Sequence, residues 1–291
     1  MSQTPERWLE LSVHSASAGD RAELLIDGLL SLGGRASEER DGWYFTHVPA
    51  PPEPDLFSEE ARRFLVDSTG IEDVEVRVRL QEHEDWAETW KRGLRPRRIT
   101  ERIVVTPSWM DPKARPEDLV IVVDPGMAFG NAEHGTTRGC LRLLDGVVQD
   151  GDRVLDIGAG SGILSIAAAM LGAGDTLAVE GDGLATETLR ENIERNGVGE
   201  VVSTLVEWVD NEALEALGPA DGIVANIEAG VLTPLLPGLH AALRSGGWLI
   251  LSGILDSQWS DLEIAARGAG LQSGGLDVDG EWRSGLFRRA G

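Results

Sequence analysis

Lysine is almost missing from this chain. Of 26 basic residues among 291, only Lys91 and Lys113 are lysines, the rest are arginines, and 49 acidic residues leave a formal net charge of −23. A field of that sign repels phosphate backbones, so no direct nucleic-acid partner is expected, while a basic protein would be steered toward the chain. A salt-rich cytoplasm or genome composition would account for the same acidity. Cysteine is limited to Cys140, which rules out an intramolecular disulfide, and its place in an apolar, helix-like run after Thr137 reads as a buried, non-catalytic thiol. No apolar run approaches the ~20 residues that span a bilayer, and MSQTPERWLE lacks the apolar centre of a secretory signal. The chain is therefore expected to be cytoplasmic, with no membrane contact. What it does have is 42% hydrophobic residues, enough to bury one large domain or a large one and a small one.

The first eighty residues read as a separate module. WLELSVHS, DRAELLIDGLLSLGG, GWYFTHVP, DLFSEEARRFLVDSTG and VEVRVRL alternate strand and helix patterns, and with RASEERDG in a hairpin the order is βαββαβ, an α+β ferredoxin-like sandwich. The proline-rich stretch at 50–54 is then a loop inside it. A connector covers 81–100: HEDWAETWKRG has helical spacing, and KRGLRPRRITER gathers six positive charges, as either a hinge or docking surface or a solvated linker. Residues 101–291 turn α/β. Strand candidates RIVVTP, LVIVVDP, RVLDIG, TLAVE, VVSTLVEW, DGIVANI, WLILSGI and EWRSGLFRR, separated by helices such as LATETLRENIERNG and SQWSDLEIAARGAG, predict a largely parallel, doubly wound sheet. Ligands in such sheets sit beyond the C-terminal ends of the strands.

The run VLDIGAGSG at 154–162, followed by TLAVE ending at Glu180, carries the chemistry. It reads as a buried strand, a turn with glycine at 158, 160 and 162, a helix beginning near Ser161, and a second strand tipped by a carboxylate. The pattern is G-x-G-x-G with Ile163 where a dinucleotide fingerprint needs a small residue, and no Gly-Lys-Ser/Thr follows to grip a triphosphate. A nicotinamide-dependent oxidoreductase is thereby disfavoured. Glu180, 22 residues after Gly158, is placed to accept hydrogen bonds from both ribose hydroxyls of an adenosine group. S-adenosyl-L-methionine suits the pattern best, having an adenosine, a cationic sulfonium and no phosphate.

Three further segments fall in order: DWAETWKRGLRPRRI at 85–99, DPGMAFGNAEHGTT at 124–137, and ANIEAG at 225–230 with SGIL at 252–255. With them the chain resembles, over nearly its full length, the PrmA family of methyltransferases acting on large-subunit ribosomal protein eleven. The resemblance implies a seven-stranded, Rossmann-like methyltransferase domain preceded by a small module that recognises the protein substrate. It implies S-adenosyl-L-methionine as cofactor, bound by Thr137, by Gly158 and Gly160 of the turn, by Glu180 where the family usually has aspartate, and by Asn226. Asn226 would also orient the incoming amine, the one catalytic role assigned. No metal is required, and the chain is expected to act as a monomer.

The implied reaction is methyl transfer to lysine and N-terminal amines of that ribosomal protein, within enzyme class 2.1.1. Alternatives are a lysine methyltransferase of another basic protein, such as an electron-transfer flavoprotein subunit, and a noncatalytic module contacting RNA. Departures from the family bear on the substrate: Gly130 to Thr137 lack the proline of the usual Gly-Thr-Gly-Thr-His-Pro-Thr-Thr, Glu133 adds a charge, and Glu228 replaces an apolar residue beside Asn226. His134 is open between a proton acceptor and a residue that packs the turn. No dedicated base is needed, because an apolar channel beside a sulfonium lowers the affinity of a lysine amine for its proton from a reference pKa of about 10.4.

Overall fold

In the computed structural model the described residues are 7–16, 22–32, 38–40, 42–51, 54–82, 94–124 and 128–291. The chain divides into two compact units, Met1–Gly93 and Leu94–Gly291. In the first, β1 (Arg7–His14), α1 (Ala22–Ser31), β2 (Glu38–Arg40), β3 (Trp43–Pro49), α2 (Pro54–Thr69) and β4 (Glu75–Glu82) build an antiparallel sheet in the order β2-β3-β1-β4. The pleat of β1 sends Leu11 and Val13 to one face, where they meet Leu25 and Leu29 of α1 and Ala61 and Leu65 of α2. Most of the connector, 83–93, with the helix expected there, lies outside the described residues.

The second unit opens with a small sheet, β5 (Arg97–Arg98), β6 (Ile103–Thr106) and β7 (Leu119–Val122), in that order. There follow α3 (Gly135–Val147), β8 (Arg153–Ile157), α4 (Ile163–Met170), β9 (Asp175–Glu180), α5 (Gly183–Arg195), β10 (Val202–Val206), α6 (Asn211–Leu217), β11 (Ala220–Asn226), α7 (Ala229–Ala242), β12 (Leu243–Leu255), α8 (Asp256–Gly268), β13 (Leu271–Asp279) and β14 (Trp282–Arg289). Seven of these strands form one sheet, β10-β9-β8-β11-β12-β14-β13, parallel from β10 through β12, with β14 antiparallel to both of its neighbours. Helices cover both faces, Leu141 and Leu144 of α3 packing with Leu164 and Ala167 of α4 in one core, and Leu232, Leu236 and Leu239 of α7 packing with Leu262 of α8 in the other. Strand order reverses between β8 and β11, the switch point at which an α/β sheet opens a crevice.

Two features depart from the sequence-based reading. RIVVTP and LVIVVDP do become strands, but in the small sheet, because Asn192 of α5 and its C-cap Asn196 occupy the free edge at the end of β7. The Asn196 side chain accepts from the Val122 N–H at 2.8 Å and donates to the Val122 carbonyl at 2.7 Å, while Asn192 makes the same pair of bonds with Asp124, both at 3.1 Å. The seventh strand of the large sheet is instead LQSGGLDVD, a glycine-containing edge strand in which Leu271 alone is fully buried.

Candidate active site

The glycine turn joins β8 to α4 with Gly158, Gly160 and Gly162 at φ of 73°, 54° and 83°, the left-handed region that a Cβ disfavours. Space forbids a side chain as well. A Cβ would stand 2.5 Å from Ile227 Cγ2 at Gly158, 2.4 Å from the Phe129 carbonyl oxygen at Gly160, and 2.4 Å from Leu189 Cδ1 at Gly162. The N–H groups of Gly158 and Ala159 both donate to the Val179 carbonyl, at 2.9 and 3.0 Å, which fixes the turn to β9. Ser161 holds the loop above it, donating its N–H to the Phe129 carbonyl at 2.8 Å and its hydroxyl to the Gly130 carbonyl at 2.6 Å. Regular helix starts at Ile163, two residues later than expected, with Gly162 at the N-cap.

At the tip of β9, Glu180 bridges two loops: Oε2 accepts the Gly160 N–H at 2.8 Å and Oε1 the Asp182 N–H at 2.9 Å. Each oxygen keeps a second lone pair for a ligand hydroxyl. Asp182 in turn caps α5 by accepting from the Leu184 N–H at 2.9 Å. Beneath the turn lies Asp156, fully buried, its Oδ2 accepting from Ser165 Oγ at 2.5 Å and its Oδ1 without a partner. Burial pushes its carboxyl up to about 7, opposed by the Ser165 hydrogen bonds and aided by the negative charge of Glu180.

A cleft of about 600 Å³ opens over these strand tips and takes in Gly158, Gly160, Glu180 and Asn226 together. Asn226 ends β11 with its Oδ1 buried and unpartnered. Thr137 does not reach the cleft wall: it is fully buried behind it, its hydroxyl also without a partner, and Thr136 stands on the wall instead. His134 packs between Phe129 and Trp282, ring centroids 5.1 and 4.8 Å away, with Nδ1 2.7 Å from the Thr136 hydroxyl. Burial, then the Arg138 charge, lower its pKa, against the opposing pull of Glu281 and Asp279, and so favour the neutral imidazole.

Arg138 secures this loop, donating Nη1 to the carbonyls of Ala132 at 3.2 Å and Glu133 at 2.5 Å while its Nε and Nη2 grip Asp279 at 2.8 and 2.5 Å. The charge at Glu133 is met by Arg97. Glu228 sits exposed on the cleft rim at the start of α7 and makes no capping bond. Cys140 is buried, and burial pushes its thiol up to about 12, far from a nucleophilic thiolate. Sequence reasoning missed Trp208 and Trp282 on the cleft wall, since each is a lone tryptophan outside any motif.

The cleft is shaped for an adenosine-bearing cation. It offers a turn that backbone alone can line, a carboxylate with free lone pairs, an orphaned amide oxygen and, among the described residues, no loop that cradles phosphates. With the strand order, this defines an S-adenosyl-L-methionine-dependent methyltransferase. The chain belongs to the ribosomal protein L11 methyltransferase (PrmA) family, whose model matches residues 35–290. Among its relatives, the ribosomal protein L11 methyltransferase of Chloroflexus aurantiacus is 41% identical over 235 residues, covering 74% of this chain and 72% of its own length. That of Symbiobacterium thermophilum is 34% identical over 303 residues, covering 95% of this chain and 97% of its own. The crystal structure of a ribosomal protein L11 methylase from Lactobacillus delbrueckii subsp. bulgaricus superposes with a TM-score of 0.60 at 30% identity, covering 67% of this chain and 99% of that one.

Proposed function

We propose that this enzyme methylates lysine and N-terminal amines of ribosomal protein L11, the substrate for which its relatives are named. The observation that carries the chemistry is the buried, unpartnered Oδ1 of Asn226, an acceptor in the same cleft as the ribose-type carboxylate of Glu180. Gly158, Gly160 and Glu180 bind the cofactor's amino-acid tail and sugar. Bound S-adenosyl-L-methionine supplies a methyl group already activated by its sulfonium.

The protein's work is positional. Asn226 accepts an N–H of the incoming amine and so aims the nitrogen lone pair, an arrangement in which well-oriented reactants recover about 7–11 kcal/mol of the barrier. Phe129, His134 and Trp282 wall the entrance with aromatic surface, exclude water and disfavour the ammonium form. Residues 1–80 recognise the substrate, 81–100 link, and 101–291 carry out the transfer. The enzyme works as a monomer in the cytoplasm without direct contact to nucleic acid, in keeping with its net charge of −23; among the described residues no helix is long and apolar enough to cross a membrane.

The test is incubation with purified ribosomal protein L11 and methyl-labelled S-adenosyl-L-methionine. Label on lysine and N-terminal amines is expected. Label on a different basic protein, with none on L11, would overturn the substrate, and label on no amine would overturn the reaction.

A further inference from the structure

Across the mouth of the large sheet, the strand tips run in the order β11, β8, β9, β10, and among the residues they bring to the cleft are, in that order, Asn226, Gly158, Glu180 and, just past the end of β10, Trp208. Adjacent strands lie about 4.8 Å apart, so this row extends over roughly 14 Å, room for a nucleoside with its tail laid across the strands. With the reacting group at Asn226 and the sugar at Glu180, the next position along the row, at the tip of β10, falls to the base.

Trp208 is the residue waiting there. At 82% exposure it is the most solvent-exposed large hydrophobic side chain among the described residues. A monomeric domain has no folding reason to leave an indole so open at the rim of a cleft. The ring is nevertheless placed. A Cβ at Gly181, the residue after Glu180, would stand 2.4 Å from both Cδ2 and Cε2 of Trp208, so the indole rests on bare backbone where the chain leaves the ribose site. Ala185 and Val209 continue the wall with small and apolar surface. Asp182 and Glu207 also line this end of the cleft, so the base subsite combines an aromatic platform and small apolar surface with acidic side chains, suited to a flat, uncharged heterocycle.

We infer that Trp208 is the platform on which the adenine of the cofactor stacks, with Gly181 kept free of a side chain so that the indole can lie against the backbone. The inference rests on the cofactor reading above and adds the residue that reads the base. Base–aromatic stacking tolerates any base with a π-face and is lost on truncation of the ring, weakening binding by about 5- to 150-fold.

Two probes separate the parts: S-adenosylhomocysteine, and S-ribosylhomocysteine, which lacks the base. Calorimetry of the full chain is expected to give W208A at least ~5-fold weaker binding of S-adenosylhomocysteine, unchanged binding of S-ribosylhomocysteine, and recovery in W208F. G181A, which displaces the indole, should behave as W208A does. Equal loss for both probes would mean a distorted cleft and overturn the stacking role. W208A binding S-adenosylhomocysteine as tightly as the parent, with only the KM for the protein substrate raised, would overturn it too and assign the indole to that substrate. Failure of the parent chain to bind S-adenosylhomocysteine at all would fall on the cofactor reading itself.

Discussion

Arg138 holds Asp279 through two parallel hydrogen bonds, Nε to Oδ2 at 2.8 Å and Nη2 to Oδ1 at 2.5 Å, and donates from its third nitrogen, Nη1, to the carbonyls of Ala132 and Glu133. One guanidinium thereby ties the first turn of α3, the end of β13 and the loop that carries His134. Its pull, with that of Arg142, lowers the Asp279 carboxyl to about 2. A carboxyl depressed in the folded state adds stability above its unfolded pKa of about 3.9, and that stability is lost as pH falls toward about 2. D279N is expected to lose about 1.5–3 kcal/mol at pH 7, a loss that shrinks below pH 4. Urea unfolding across that range checks it; a deficit that stays constant with pH would rule out the charge as its source.

Asp156 behaves in the opposite sense. Its carboxyl is raised to about 7, so between pH 4 and 7 the folded chain binds more protons than the unfolded one, and stability from this group falls as pH rises through that interval. Above pH 7 the full cost of a buried charge is present. D156N should therefore be more stable than the parent at pH 8, on the order of 2 kcal/mol, with the gain narrowing toward pH 5. Thermal or chemical melts at both values decide it, and a variant less stable at pH 8 would refute it.

Glu180 is both a structural acceptor and a ligand group. E180Q keeps the shape but substitutes an amide NH₂ for one oxygen, so either the Gly160 or the Asp182 N–H is left facing a donor. Binding of S-adenosylhomocysteine should weaken by about 10- to 100-fold, the worth of a charge-assisted bond. Equal affinity by calorimetry would show that the carboxylate does not touch the ligand.

Asn226 separates binding from turnover. N226A removes the acceptor but leaves the backbone of β11, and kcat is expected to fall by at least ~100-fold while the affinity for S-adenosylhomocysteine changes by less than ~10-fold. A loss confined to cofactor affinity, with kcat intact, would confine this residue to holding the cofactor.

Much of the large unit was legible because its signals are local. A β-branched buried run, three alternate glycines and a strand-end glutamate each declare a conformation, and the sheet sets Gly158, Gly160, Glu180 and Asn226 around one cleft. The small sheet was not legible. IVVT and LVIV look alike whether they join a seven-stranded sheet or a three-stranded one, and the choice is made by Asn192 and Asn196, more than sixty residues downstream. Nor did LQSGGLDVD carry the alternation of a strand, since as an edge it has little to bury. Within the site, neighbouring threonines cannot be told apart by pattern: helix phase turns Thr136 toward the cleft and Thr137 into the core.

The two asparagines that grip Val122 and Asp124 have a further effect. An uncovered strand border is a template on which a stray chain can extend the ladder, the route to polymerisation. With amide side chains already filling those positions, the border offers foreign backbone little to join at Val122 and Asp124, so the folded protein is shielded from sticking to its own copies at that point without a further strand or an added charge.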